Sequence, residues 1–328
     1  MVITMPRRLT YDSANTILRG LPFNESPKVI FDFSSLVFSH PLAMLMVAGG
    51  LRKLTKRRSQ LGLSTAVSGL SSGIAAHTYL EHLGFFDFIN LPNRNKLGSA
   101  KGSPRYIPIK RISRADFRVA EGDSKGLHDA LIEAADVIAL VLAGTDLKEY
   151  EVKRGLAYSI KEIVRNVFEH SGAGHCYVAG QRWGEGAVEI VIMDEGVGIS
   201  KTLSESFVIE SDRQALEYSI KPGVSRMSKV LDALNTSDNS GFGLYVLSQV
   251  GKRFGRFVLG SGMAALRHQQ GTKLQFDATS FSGTFVGITL NERPSNFRSV
   301  LDEIVESGEA EAKLAGFPAK ASESSRTT

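Results

Sequence analysis

A near-continuous apolar strand that ends at a carboxylate is the feature that most constrains this chain. The stretch VEIVIMDEGVGIS, residues 188–200, runs directly into Asp194 and continues with Gly196 and Gly198. Glycines just past a strand adopt positive φ values and let a ligand approach the backbone closely. A carboxylate at a strand end can accept a hydrogen bond from an amino group, such as the exocyclic amine of adenine. Alone, D-x-G-x-G fits an ordinary acidic turn equally well.

A second pair of glycines lies in the stretch SGFGLYVLSQVGKRFG. Gly241 and Gly243 open a segment with helical periodicity at 243–253. Backbone N–H groups at the N-terminus of a helix bind phosphate well, although a glycine-rich helix cap is also common. Gly283 and Thr284 begin a late strand, SGTFVGITL, and this third signal is weak when taken alone.

An acid and an amide share one face of an earlier helix. The stretch YSIKEIVRNVFEHSG, residues 158–172, has the periodicity of an amphipathic helix. Glu162 and Asn166 are four residues apart and therefore lie on the same face. They either decorate a solvated face or belong to a site for magnesium and a nucleotide.

The composition is that of an ordinary globular protein and excludes several kinds of chemistry. The 328 residues leave room for two domains, and 42% of them are hydrophobic. Cys176 is the single cysteine, which excludes an internal disulfide and a multi-cysteine zinc site. The sequence contains no P-loop, no complete dinucleotide fingerprint and no H-E-x-x-H motif. His170 and His175 lie near Cys176 but flank a helix end and a turn, so a metal site there is disfavoured.

The net charge of +5 is small and spread along the chain. The clearest basic cluster, RKLTKRRSQ at 52–60, favours a solvated helix end over a nucleic-acid-binding stripe, so no nucleic-acid partner is expected. The longest apolar run, PLAMLMVAGGL at 41–51, is too short to cross a bilayer. We therefore expect no membrane association and a cytoplasmic, soluble protein.

Strands alternate with helices in the first third of the chain, which predicts a small α/β domain. Strands are expected at 28–33 and 63–69 and helices at 41–60 and 71–84, and the segment 85–91 closes the unit.

A Gly-, Ser- and Lys-rich stretch, KLGSAKGSP, separates this domain from the next, and RYIPIKRIS is expected to be a strand leading away from it. We assign 1–105 to the first domain, 106–124 to a linker and 125–293 to the second domain. Residues 294–328 are expected to form a C-terminal helix and, from about position 308, a disordered tail.

The order of the signals along the chain resembles the ATP-binding domains of the superfamily that contains gyrases and histidine kinases (GHKL). The shared series is an acid and an amide on a helix, D-x-G-x-G after a strand, a long polar segment, G-x-G at a helix start, and G-T at a late strand. The resemblance covers about 125–292, half of the chain. It implies a GHKL (Bergerat) α/β sandwich with helices packed on a mixed sheet, and ATP and Mg²⁺ as cofactors.

The resemblance also implies roles for individual residues. Asn166 would coordinate Mg²⁺, for which an amide oxygen is suitable, and Glu162 would orient or deprotonate the attacking water or hydroxyl. Asp194 would bind the adenine amine. Gly196 and Gly198 would shape the adenine pocket. Gly241 and Gly243 would form the phosphate loop, and Thr284 would form the wall beside the base.

The polar segment 200–240 would be the ATP lid. It carries four cations that are candidates for a contact with the γ-phosphate, and the sequence does not choose among Arg213, Lys221, Arg226 and Lys229. Long polar loops of this kind are commonly functional.

Two departures from sensor histidine kinases bear on the activity. Glu169 stands where those kinases often carry a lysine, and its charge would repel phosphate. His128 lies too close to Glu162 for the usual dimerising hairpin, so an autophosphorylating histidine kinase is a poor interpretation. The motif RNVFEHSG is closer to anti-sigma-type serine kinases and to stand-alone GHKL regulators.

The pattern over residues 10–92 resembles a STAS domain, the fold of anti-sigma-factor antagonists. Phosphorylatable members carry D-S-[ST]-G where this chain has SHPLA, so Pro41 or Leu42 stands in the place of the phosphoacceptor serine, with Ser39 nearby. A phosphorylation switch is therefore not expected. A protein-binding or dimerising role of the helix start remains open.

Three functions are consistent with this sequence. The first is a regulatory protein that binds Mg-ATP, hydrolyses it slowly and acts through protein contacts. The second is an anti-sigma-type serine/threonine protein kinase, and the third is a nucleotide sensor without turnover. We favour the first, because a complete set of nucleotide motifs stands beside a non-catalytic module. The expected partners are ATP and a regulatory protein of anti-sigma, STAS or other type, and a homodimer is allowed.

Overall fold

The computed structural model describes residues 1–21, 26–91, 102–103, 105–120, 123–143, 150–224, 241–292, 296–317 and 320–321. Both halves of the chain combine helices with open sheets, which confirms the α/β class predicted from the sequence. Among the described helices, none has both the length and the apolar character that a membrane-spanning segment requires.

The N-terminal half contains a small parallel sheet. Its elements are, in chain order, β1 (Val2–Thr4), β2 (Arg8–Leu9), α1 (Tyr11–Gly20), β3 (Lys28–Asp32), β4 (Phe38–Ser39), α2 (Pro41–Gln60), β5 (Ser64–Ser68), α3 (Ala75–His82) and α4 (Phe85–Phe88). Strands β1, β3 and β5 pair in that order, all in parallel, and β2 pairs with β4. The helix predicted at 41–60 has the same limits in the structure.

The rest of the chain forms a larger sheet with helices on one side. Its elements are β6 (Tyr106–Ser113), a 3₁₀ turn (Arg114–Phe117), α5 (Ser124–Ala143), α6 (Tyr150–Asn166), a π-helical turn (Val167–Ser171), β7 (His175–Arg182), β8 (Val188–Asp194), α7 (Ile199–Leu203), α8 (Asp212–Ser219), α9 (Gly243–Phe254), β9 (Gly255–Gln269), β10 (Gln275–Leu290) and α10 (Phe297–Ala315). The sheet order is β6-β7-β8-β10-β9. Strand β6 lies within the predicted linker 106–124, so this part of the linker belongs to the sheet.

Every pairing in the five-stranded sheet is antiparallel, whereas the resemblance implies mixed strand directions. Two of its pairings, β7–β8 and β9–β10, join strands that are consecutive in the chain and connected by short loops. A short hairpin loop can connect only antiparallel strands, because a parallel pair requires a long crossover.

The five-stranded sheet is buried on both faces. Side chains of β8 alternate between two apolar clusters, because successive residues of a strand point to opposite faces. Ile190 and Ile192 pack against α5, α6 and α9, while Val191 and Met193 pack against the N-terminal half. The sheet is therefore the middle layer of the molecule, between the N-terminal half and the helices of the second half.

Helix α2 lies directly on this sheet, and α1 also contacts it through β10. Leu42 and the following turns are buried against β8 and β10. The N-terminus of α2 has no side-chain cap of its own, and Pro41 occupies its first turn. Instead, Glu189 of β8 accepts a hydrogen bond from the Leu42 amide (2.9 Å) and contacts His40 Nδ1 (3.2 Å). A carboxylate at a helix N-terminus satisfies free amides and favours the helix dipole.

This contact answers the question about the start of α2. The sequence left open whether the helix start docks a partner, and in the structure it docks the chain's own sheet. Ser39 is buried (4% exposed), and the Glu189 carboxylate, 1% exposed, lies at the helix start that the phosphoacceptor position would occupy by resemblance. The position therefore faces protein and not solvent.

The basic cluster 52–60 is not simply a solvated helix end. Arg58 is 1% exposed and donates hydrogen bonds to Thr65 Oγ1 (3.0 Å) and to the carbonyl oxygens of Ser26 (2.9 Å) and Ser64 (2.7 Å). A buried guanidinium is tolerated when its donors are satisfied in this way. The prediction was wrong for this residue because these partners, on β5 and the loop before β3, come together only in the fold, which periodicity does not reveal.

The segment 85–91 begins with helix α4, and Phe85 and Phe86 both pack edge-on against Phe33. One further expectation requires correction. The tail is helical up to Ala315 and not disordered from position 308. Its small residues are packing contacts: Gly308 and Ala312 are buried, and a Cβ atom at Gly308 would lie 2.5 Å from the Tyr245 ring.

We predict that Glu189→Ala lowers the free energy of unfolding by about 2 kcal/mol, because it leaves the amide of Leu42 without its acceptor at a buried helix end. Urea unfolding of the full chain measures this change. Glu185→Ala is the matched control, since Glu185 is an exposed residue of the adjacent β7–β8 loop and its removal should change the stability by less than about 0.5 kcal/mol. Equal stability of both variants would show that Glu189 does not hold α2.

Candidate functional site

A cavity lies between the helix layer and the sheet, at the end of β8. Residues from six segments line it, and among them are six of the eight residues singled out from the sequence: Asn166, Asp194, Gly198, Gly241, Gly243 and Thr284. Its volume is about 110 Å³. Sites for small molecules usually have volumes of about 300 Å³ or more. A large ligand would therefore extend beyond this volume, and the wall formed by Leu203 and Val224 belongs to the predicted lid.

Asp194 is the buried acid of the cavity. Its side chain continues the row of β8 that faces the helices, and the residue is 3% exposed. Oδ1 accepts a hydrogen bond from the Gly196 amide (2.7 Å), and Thr284 donates to the carboxylate from its backbone and its side chain. Burial raises the pKa of Asp194 to about 6, against the opposing effect of these hydrogen bonds. The group is ionised at neutral pH and can accept a hydrogen bond from a ligand.

Strand β10 brings Thr284 opposite Asp194. The two residues are register partners in the antiparallel pair β8–β10. The preceding residue must be a glycine, since Gly283 has a φ of 94° and a Cβ atom there would lie 2.2 Å from the Asp194 carbonyl oxygen. The G-T pair, weak as a sequence signal, is thus explained by the close approach of two strands beside the cavity.

The first residues of α9 form another wall of the cavity. Gly241 and Gly243 line it, and the N-cap residue Phe242 offers no side-chain hydrogen bond to the helix. The first amides of α9 therefore receive no cap from that side chain, which suits a site for an anion. Gly241 has a φ of 72°, and a Cβ atom at that position would lie 2.7 Å from Val224.

Helix α6 places Asn166 and Glu162 differently. Asn166 is half-buried and lines the cavity. Glu162 is fully buried and is not among the lining residues. Its carboxylate is ion-paired with Arg165 (2.9 Å) and lies 3.6 Å from Lys161 Nζ. A Cβ atom at Gly243 would lie 2.5 Å from Glu162 Oε2, so the absence of a side chain there gives room to this carboxylate.

The glycines of D-x-G-x-G mostly make room for neighbouring protein atoms. Gly198 lines the cavity, and a Cβ atom there would lie 2.7 Å from Ser261 Oγ. Gly196 is not among the lining residues, and a Cβ atom there would lie 2.3 Å from the Ser171 carbonyl oxygen. The same carbonyl accepts a hydrogen bond from the Val197 amide (2.9 Å), which holds the loop after β8 against the end of α6.

The sequence analysis did not assign His170, Ser171 and Thr202 to the site, although all three line the cavity. The helix changes from α to π at Val167–Ser171, and single π-helical turns are frequent at functional sites. Thr202 donates a hydrogen bond to the His170 carbonyl oxygen (3.2 Å), so the start of the predicted lid contacts this turn. In the sequence, the polar run EHSG that follows the apolar stripe of α6 could have indicated that His170 and Ser171 belong to the site.

The predicted lid cations have other contacts in the described residues. Arg213 stacks on the Phe276 ring at 4.4 Å and Lys221 on the Tyr218 ring at 4.4 Å, and neither lines the cavity. Arg226 and Lys229 lie outside the described residues. Glu169, which was expected to repel phosphate, lies 4.0 Å from Arg165 and does not line the cavity either.

The part of the chain that the structure describes contains no group of three or more His, Cys, Asp or Glu residues that could hold a metal ion. Cys176 is fully buried, and burial raises the pKa of its thiol. The side chain of His175 packs edge-on against Tyr177. A divalent ion in the cavity would therefore need oxygen ligands from a bound molecule besides Asn166.

Comparison with known proteins gives a partial similarity. No protein-family model matches the chain. A protein of Chloroflexus aurantiacus named as an uncharacterized sensor-like histidine kinase is 36% identical over 77 residues, which are 22% of this chain and 13% of that protein. The chain thus spans a small part of the length of this relative. The similarity is consistent with a regulatory role of the kinase-like ATPase kind.

We predict that Asp194→Asn stabilises the protein at pH 7.5 by up to about 3 kcal/mol, since one pKa unit corresponds to about 1.4 kcal/mol. The pKa of Asp194 in the folded state (about 6) lies above the ordinary value of 3.8, so the folded protein binds the extra proton between these values. Asp194 therefore makes unfolding easier as the pH rises through this window. Urea unfolding at pH 3.5 and pH 7.5 measures the difference.

The stabilising effect of Asp194→Asn should be nearly absent at pH 3.5, where the carboxyl group is protonated in the folded state and mostly protonated in the unfolded state. Asp12→Asn is the control, because the side chain of Asp12 is 75% exposed. A gain that is the same at both pH values would mean that the charge of Asp194 is not the destabilising feature.

Proposed function

We propose that this chain binds Mg-ATP and acts as a regulatory protein, a nucleotide-controlled switch with at most slow hydrolysis. The observation that carries the proposal is the convergence of Asn166, Asp194, Gly241 and Thr284, which are far apart in the sequence, on one cavity. The resemblance assigned Asp194 and Thr284 to the base, Gly241 to the phosphates and Asn166 to the metal ion. The partial similarity to a protein named as a sensor-like histidine kinase supports the same class of function.

The adenine base would enter the inner part of the cavity. Its exocyclic amine would donate a hydrogen bond to Asp194, which is ionised above pH 6. Ile192, Val286 and Leu203 provide apolar walls that suit the faces of a base. A buried acceptor of this kind discriminates strongly against a base that lacks the donor, since the carboxylate would then stay unpaired in a low-dielectric site.

The phosphates would lie between the start of α9 and Asn166. Mg²⁺ typically takes one or two ligands from a protein and the rest from phosphates and water, and Asn166 fits this donor set. The ion would neutralise phosphate charge when bound. The first amides of α9, which receive no cap from the Phe242 side chain, would bind phosphate oxygens directly. Because a large ligand exceeds the present cavity, nucleotide binding would displace the wall that carries Leu203 and Val224.

Glu162 bears on whether the bound nucleotide is hydrolysed. A general base must reach the proton that it removes. The Glu162 carboxylate instead faces Arg165 and Lys161 and is fully buried, so the ion pair must open before Glu162 can activate a water molecule. This arrangement favours a switch that retains its nucleotide and disfavours an enzyme that hydrolyses it rapidly. The protein partner would be a regulatory protein, of anti-sigma, STAS or other type.

A protein kinase of anti-sigma type is the alternative function. It is favoured by the partial similarity to a protein named as a sensor-like histidine kinase. In this reading Glu162 would activate a hydroxyl of a protein substrate.

We predict micromolar, Mg²⁺-dependent binding of a non-hydrolysable ATP analogue, measured by calorimetric titration of the full chain. Asp194→Asn should weaken binding by about 10-fold or more, because the acceptor of the adenine amine is replaced by an amide. Asn166→Ala should remove the dependence on Mg²⁺. Ser204→Ala, an exposed position of the same half, serves as control. Absence of binding by the wild type would sink the proposal, and unchanged affinity of Asp194→Asn would remove the assigned role of Asp194.

Turnover separates the switch from the kinase. With labelled ATP we expect phosphate release far slower than the about 1 s⁻¹ of an ordinary enzyme, and no labelled protein in the presence of candidate STAS partners. Glu162→Gln should abolish the slow release while nucleotide binding persists. A labelled serine or threonine in a partner that disappears in Glu162→Gln would establish the kinase instead.

A further inference from the structure

Strand β8 presents two neighbouring acids to opposite layers. The row that contains Ile190 and Ile192 ends at Asp194, which faces the cavity. The alternate row, which contains Val191 and Met193, packs on the N-terminal half and is continued by Glu195. Glu195 is therefore the residue through which the loop of D-x-G-x-G contacts helix α2.

Arg52 of α2 binds Glu195. Its Nε lies 3.2 Å from Glu195 Oε1, and its Nη1 donates to the Phe88 carbonyl oxygen (2.7 Å). The guanidinium also lies 4.9 Å from the centre of the Phe88 ring and 5.7 Å from that of Tyr177. Isolated surface ion pairs contribute little because both side chains lose freedom. Here the guanidinium is already fixed by contacts with Phe88 and Tyr177, so it offers Glu195 a preformed partner.

The loop after β8 is held on its other sides as well. The Gly196 amide binds the Asp194 carboxylate, and the Val197 amide binds the Ser171 carbonyl oxygen. These two contacts fix the loop to the site itself. Arg52 holds the loop on the side of the N-terminal half. It does so through Glu195, the residue that directly follows Asp194 in the chain.

We infer that Arg52 is a positioning residue for Asp194: by holding Glu195, it fixes the orientation of the carboxylate that reads the base. The N-terminal half would thereby set the base preference of the site. The inference rests on the proposed function, since it assumes that Asp194 accepts a hydrogen bond from adenine.

The charge of Arg52 also supports the Asp194 carboxylate, in addition to the positional effect. The negative charge of Glu195 raises the pKa of Asp194, as the smallest of the contributions to that shift. Arg52 offsets this charge, and its loss would leave two neighbouring carboxylates without their cation. An uncompensated Glu195 would also tend to turn away into solvent, which would move the backbone that it shares with Asp194.

The experiment compares the affinities of the full chain for ATP and ITP at pH 8, where Asp194 is ionised. ITP has a carbonyl oxygen in place of the amine, so a well-placed Asp194 rejects it, and we expect the wild type to prefer ATP by about 10- to 100-fold. Arg52→Gln should reduce this preference by about 3- to 10-fold. Glu195→Gln should reduce it to a similar extent, and the double variant should show no further loss, because both changes break one interaction.

Asp12→Asn is the matched control. Asp12 lies 3.4 Å from Arg267 Nη1, an ion pair that also joins the N-terminal half to the sheet, but Asp12 does not line the cavity. This variant should keep the full preference for ATP. If the two halves merely loosened, Asp12→Asn and Arg52→Gln would each bind ATP and ITP more weakly, but the ratio of the ATP affinity to the ITP affinity would stay unchanged.

The outcomes distinguish the inference from the function on which it rests. If the wild type binds ATP and ITP equally, the proposed role of Asp194 fails. If the wild type prefers ATP and both Arg52→Gln and Glu195→Gln keep that preference, only the inference on Arg52 is overturned. If Arg52→Gln shows no thermal unfolding transition and therefore does not fold, the preference of Glu195→Gln for ATP over ITP alone decides the inference.

Discussion

The burial of β8 on both faces is the constraint on which the rest of the structure depends. A strand without a solvent-facing row needs two layers to cover it, and the chain supplies one from each half. The helices of the second half cover one face and build the cavity. The N-terminal half covers the other face through α2. The two halves are therefore joined by a shared core and not only by a connecting segment.

Two glutamates on the side of β8 that faces α2 fix the position of this helix along the strand. Glu189 binds the start of α2, and Glu195 binds Arg52 further along the same helix. Apolar contacts fill the space between them, and Gly49 lets Met193 approach the helix, since a Cβ atom there would lie 3.0 Å from Met193 Cε. Apolar packing alone tolerates sliding, whereas directional contacts at two points fix the register of the helix on the strand.

The sequence predicted the parts of this protein that depend on local pattern. The limits of α2, the strand that ends at Asp194 and the helix opened by Gly243 follow from periodicity and from glycine positions. The convergence of Asn166 and Asp194 on one cavity was predicted from motif order. Whether these residues bind a nucleotide stays a prediction.

What the sequence could not predict depends on contacts between distant segments. The docking of α2 on Glu189 and the hydrogen bond from Arg58 to the Ser26 carbonyl oxygen join residues that are far apart in the sequence. Glu162 pairs with its near neighbours Lys161 and Arg165, and the sequence did not reveal that all three are buried. The helical tail followed from small residues that face Tyr245. Tertiary packing there outweighed the local composition on which the prediction relied.

The alternation along β8 also limits how this protein can change over evolutionary time. A single-residue insertion or deletion within the strand would exchange its two rows, which would turn Asp194 toward α2 and away from the cavity. Substitutions can be absorbed one at a time, but changes in length cannot. We therefore expect related sequences to vary freely in the loop before β8 and to keep the number of residues between Glu189 and Asp194 constant.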